Sequence, residues 1–149
     1  MKDKFASDGQ LTMLANEIAG ASPYLAAAQK FRWQIIFVNA PLGQDEDAGR
    51  CKKIDPAIRY LWEYDYLILI SRKHFDEMTL MEKVHLVAHE LYHIAASEDG
   101  QPAIRNHSGD FCDIFSHDKM PAEIAKDVFS KLRHIKVFET QKQIEVTAT

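Results

Sequence analysis

The chain has 149 residues, 46% hydrophobic and 27% charged, the range of one folded domain rather than a disordered chain, a collagen-like repeat or a disulfide scaffold. Its 18 basic and 22 acidic residues leave a formal charge of −4, which offers no basic field for nucleic acid. Cys51 and Cys112 lie far apart without a CxxC pairing, a usage that suits a reducing compartment.

Residues 1–9 hold no apolar run of the about 7–15 residues that a signal peptide needs. The first helical pattern places Leu11, Leu14, Ala15 and Ile18 on one face, with Gly20 as its stop. Ser22-Pro23 reads as N-cap plus first residue of a second helix, through about Phe31. Trp33–Val38, β-branched and aromatic, is a strand. The stretch from Asn39 to Gly49, with Pro41, Gly43 and three acids, is a solvated loop. A short edge strand fits Arg50 to Ile54, where Lys52 and Lys53 discourage stray pairing. Tyr66–Ile70 is a continuous apolar run, expected as a central strand covered on both faces. At five residues it falls far short of the roughly 20 that span a bilayer. The chain therefore reads as soluble and cytoplasmic, with no membrane partner.

Thr79-Leu80-Met81-Glu82 fits a capping box. Leu80, Val84, Val87, Ala88, Leu91 and Ile94 then recur at helical intervals, predicting a helix to about Ala96. Residues 98–102, Glu-Asp-Gly-Gln-Pro, break that pattern. A short helix is expected over 106–116, with Phe111, Ile114 and Phe115 on one face, and a last helix from Met120-Pro121 to about Arg133. The tail from about residue 134 has no assignment. No repeat or linker interrupts the chain, so the expectation is a single α+β domain over 1–149, with N-terminal helices at 11–31 and a core at about 33–133.

The chemistry concentrates in His89-Glu90-Leu91-Tyr92-His93. Four residues advance a helix by about 400° and 6 Å, so both imidazoles leave one face a turn apart and can bind one Zn²⁺. Glu90 lies about 100° round from His89 and is aimed at a water beside the metal rather than at the metal. Two inward-facing imidazoles and a carboxylate each need partners, and one metal ion satisfies all three. A catalytic zinc takes a third protein ligand. His107 is the leading candidate, because it shares a stripe with Phe111, four residues on, which should pack on the motif helix. Asp110 fits better as an acceptor for a ligand imidazole. His85, a turn before His89, cannot join two further turns on one ion. His117 is a candidate oxyanion stabiliser, Cys112 a soft ligand on spacing alone, and Arg105 and Tyr60 conceivable substrate contacts. Glu98 and Asp99 are expected to close the helix in solvent.

Residues 65–70, 75–79 and 87–94, together with the acidic-Gly stretch 98–107 that ends in His107, resemble the phage metallopeptidases, small HExxH proteins of phages and prophages. Residues 107–111, His-Ser-Gly-Asp-Phe, are also similar to the third-histidine segment of SprT-like minimal zinc proteases, although Ser108 stands where the phage proteins often carry Asp. The resemblance implies a minimal zincin-like fold, a small twisted sheet of about three strands against the active-site helix, with a further helix bringing the third ligand. It implies His89, His93 and His107 as zinc ligands and Glu90 as general base. The functional expectation is a zinc metallopeptidase acting on a protein or peptide in the host cytoplasm, with an extended substrate held by the Arg50–Ile54 edge. The alternative is a zinc-bearing module that binds a host regulator without cutting it.

Overall fold

The computed structural model describes residues 3–106 and 122–131, without the side chains of 122–125. Helix α1 (Gly9–Ala21) opens on Asp8, whose carboxylate accepts the Leu11 N–H at 3.0 Å. It runs through Gly20 and ends at Ser22. Glycine costs a helix about 1 kcal/mol against alanine, which the burial of Leu11, Leu14, Ala15 and Ile18 outweighs. Ser22 then caps a 3₁₀ turn, Pro23–Leu25, and a separate helix α2 spans Ala27–Lys30. The second helix expected from sequence is thus two short pieces. It stops before Phe31, because the Arg32 N–H donates to the Asp65 carboxylate at 2.9 Å and draws the chain into the sheet.

Strands β1 (Phe5–Ala6), β2 (Trp33–Val38), β3 (Gly49–Lys53) and β4 (Tyr66–Ser71) form a four-stranded sheet in the order β1-β2-β4-β3. β4 pairs parallel with β2, Ile35 opposite Ile68, and antiparallel with β3, Cys51 opposite Ile68. It is the central strand that its apolar run predicts. Ile35, Phe37, Tyr66, Ile68 and Ile70 turn one face toward α1 and α5 (Leu80–Tyr92) in the main core. On the other face Leu69 packs with Val38 and Leu42, so the loop after β2 covers the second side. β3 lies at the margin of the sheet and starts one residue earlier than the sequence suggests. The sheet exceeds the expected three strands by β1, whose two residues carry no period and take their conformation from pairing with β2.

Two further helices escape the pattern reading. Asp55 caps α3 (Pro56–Trp62) by accepting the Ala57 N–H at 2.9 Å. None of its residues is buried, and Tyr60 and Leu61 are more than 80% exposed, so no apolar stripe marks it. Helix α4 (Arg72–Glu77) starts at Ser71 and buries Phe75. The Thr79–Glu82 capping box forms as expected, Glu82 N–H to Thr79 Oγ1 at 3.2 Å and Thr79 N–H to Glu82 Oε1 at 3.0 Å.

The end of α5 differs from the expectation. The helix stops at Tyr92, with His93 as its cap, and residues 94–96 are strand β5, paired antiparallel with β6 (Pro102–Ile104). Ile94 is buried as a strand residue yet falls on the hydrophobic spacing of the helix, so that spacing alone cannot separate the two conformations. A turn joins the two strands, with Gly100 at φ +80 and its N–H donating to Ser97 O at 2.9 Å. Glu98 and Asp99 belong to that turn and do not close the helix; the Asp99 carboxylate accepts from the Ser97 hydroxyl, which lowers its pKa.

The tertiary anchor of this hairpin is Tyr66. Its fully buried ring puts the hydroxyl 2.6 Å from the Ala103 carbonyl and 3.0 Å from that of Ala95, while it accepts the Ala103 N–H at 2.8 Å. Burial raises the phenol pKa, so it stays a donor. Tyr66→Phe leaves those backbone groups short of a partner. It is expected to cost about 1–3 kcal/mol, read as a lower urea midpoint at unchanged m. An unmoved midpoint would mean that the hydroxyl carries no weight.

Helix α6 (Ala122–Lys131) docks on α1, where Lys131 Nζ donates to Ala21 O at 3.0 Å and Val128 is buried. It falls within the helix expected from Met120 to Arg133. The helix expected over 106–116 lies outside the described residues. Among those described, no helix is long and apolar enough to cross a membrane.

Candidate metal centre

Helix α5 carries the motif because one face of it is apolar. Val84, Val87, Ala88 and Leu91 are buried, each worth up to about 1.5–3 kcal/mol for the larger side chains. The flanking positions 85, 89 and 93 then border a cleft between α5 and β3, of about 630 Å³, reached also by Asp47, Gly49, Arg50 and Cys51.

The ligand atoms of His89, Glu90 and His93 all lie within 4.8 Å of one another. The rings of His89 and His93 meet edge-on at 5.2 Å between centroids. His85 stacks on His89 at 6.4 Å between centroids and stays outside that cluster, as the turn count predicts. Desolvation lowers its pKa.

Glu90 is 4% exposed, and its Oε2 has no hydrogen-bond partner among the described residues. Burial pushes its pKa up to about 8, reinforced by the Asp47 carboxylate and opposed by the Arg50 guanidinium. Asp47 and Arg50 are themselves paired at 3.0 Å. An unpartnered, desolvated carboxylate oxygen beside two imidazoles is costly without a cation or a bound proton donor nearby. The donor set therefore fits a divalent metal ion.

The backbone of β3 passes directly over this carboxylate. A Cβ on Gly49 would lie 3.1 Å from Glu90 Cγ and 3.1 Å from Leu86 Cδ1, so any larger residue there presses on both side chains. Cys51, on the same strand, is a half-buried free thiol whose pKa is raised by burial and then by Glu90. Without a metal ion, that shift favours the thiol over the thiolate.

His93 is oriented from behind. Its Nδ1 lies 2.6 Å from the Arg105 carbonyl oxygen. A carbonyl only accepts, so Nδ1 bears a proton in this contact, which favours the tautomer whose Nε2 can act as the metal-binding nitrogen. Arg105, a conceivable substrate contact from sequence, places its guanidinium over the Tyr92 ring at 4.0 Å and donates to Tyr92 O at 3.0 Å. Tyr60 stands 86% exposed on α3 and does not line the cleft. His107, Asp110, Cys112 and His117 lie outside the described residues. Gly49 and Asp47 belong to no sequence motif; only pairing across the fold brings them to the site.

An α+β fold with a small mixed sheet, and an HExxH helix bordering a cleft beside the marginal strand, have the form of a minimal zincin-like protein. A family model described as "Putative phage metallopeptidase" matches residues 5–121, and the chain belongs to that family. No curated protein and no solved structure matches it.

Proposed function

We propose that this chain is a zinc-dependent peptidase, folded as one domain and acting in the host cytoplasm, with His89, His93 and His107 as metal ligands and Glu90 as general base. The observation that carries the reading is the clustered His89, Glu90 and His93 with a buried, unpartnered Glu90 oxygen at the wall of a cleft. Zinc is the ion that imidazole donors of this number suit best. His107 is supported by chain geometry: residue 105 touches His93, and two residues further span at most about 7 Å.

Zn²⁺ bound there would supply Lewis acidity toward a scissile carbonyl and an attacking water. Glu90 takes the proton of that water and later passes it to the leaving amine. Burial serves the role, because a desolvated carboxylate holds a proton more tightly than a solvated one. β3 holds an extended peptide by strand addition, since main-chain hydrogen bonds require no particular sequence.

Incubating the zinc-loaded protein with unfolded protein substrates tests the activity. Fragments should appear, vanish with a chelator and return with zinc. Intact substrate under every condition would favour the binding-module reading. Gly49→Val should displace Glu90 and lower turnover about 10²-fold, the cost of a misplacement near 1 Å, with zinc content unchanged. Wild-type turnover in that variant would show that the close approach does not position the base.

A further inference from the structure

We propose that Arg105 is a positioning residue that presets the tautomer of His93; this rests on the reading of His93 as a metal ligand. Residue 105 is joined to the end of the motif helix by three hydrogen bonds and a ring contact. Its N–H donates to His93 O at 2.7 Å, and its carbonyl accepts from His93 Nδ1 at 2.6 Å. Its guanidinium donates to Tyr92 O at 3.0 Å and lies 4.0 Å from the centre of the Tyr92 ring.

The last carbonyls of a helix have no partner within it, and a cation there meets the negative end of the helix dipole. The guanidinium satisfies the Tyr92 carbonyl while the buried Tyr92 ring holds it flat. The side chain thereby anchors its own backbone against His93. The carbonyl keeps the proton on Nδ1 and directs Nε2 toward the cluster. Tyr66 secures the other end of the arrangement, because it holds β6 at Ala103, two residues before Arg105.

The test reads the metal-free protein first. Long-range ¹⁵N–¹H correlation of the neutral histidines should show His93 protonated on Nδ1 alone in the wild type. Arg105→Met keeps the aliphatic stem and loses the guanidinium. It should give a mixture of the two tautomers and bind zinc about 10–100-fold more weakly. Arg105→Lys, which keeps a cation and a donor, should recover part of both. An Nε2-protonated His93 in the wild type, or an unchanged tautomer and affinity in Arg105→Met, would overturn the proposal. If Arg105→Met does not fold, the wild-type tautomer and the Arg105→Lys affinity decide it. Zinc retained undiminished by His93→Ala would instead remove the ligand reading, which the metal-free measurement does not depend on.

Discussion

Glu90→Gln is expected to bind zinc at the wild-type stoichiometry while hydrolysing peptide about 10²–10⁴-fold more slowly, the usual contribution of a positioned acid–base group. Glutamine has nearly the same shape, so the tight packing under Gly49 survives. What it lacks is a lone pair basic enough to take a proton from water. The substitution also removes a carboxyl group that burial and Asp47 hold at about pKa 8 in the metal-free protein. A folding defect is therefore not the expected cause of lost turnover. Wild-type rates in Glu90→Gln would defeat the assigned role. If neither form cleaves anything, yet both retain the same partner from host extract, the chain is a binding module.

His107→Ala should weaken zinc binding by more than the 10–100-fold that an outer partner of a ligand costs, matching His93→Ala in elemental analysis after dialysis. The basis is the position of Arg105, whose carbonyl lies against His93 and leaves the chain two residues short of His107. Aspartate or water cannot replace a neutral imidazole at equal affinity for a borderline-soft ion. Stoichiometric zinc at wild-type affinity in His107→Ala would place the third donor elsewhere, with Asp110 and His117 next to be substituted.

Both predictions draw on features of different legibility. The motif spacing, the capping box and the apolar run of β4 were open to reading, because each is a local rule: 3.6 residues per turn, reciprocal capping, and a strand buried on both faces. The end of α5 was not. Ile94 continues the hydrophobic spacing of the helix, but the hairpin with β6 and the Tyr66 hydroxyl hold residues 94–96 in a strand. Arg105 invited a functional reading from its charge, whereas its contacts make it a clasp on Tyr92 and His93.

The amino-acid order alone determined that two imidazoles and a carboxylate would share one helix, since that follows from screw geometry and a capped, amphipathic segment. It also determined which run of the chain would lie at the centre of the sheet. Only the tertiary structure decided how closely a glycine of β3 approaches Glu90, and which nitrogen of His93 carries a proton, through a carbonyl twelve residues away. Those two outcomes depend on pairing between distant strands, and no local periodicity encodes which backbone atoms such pairing brings against a side chain.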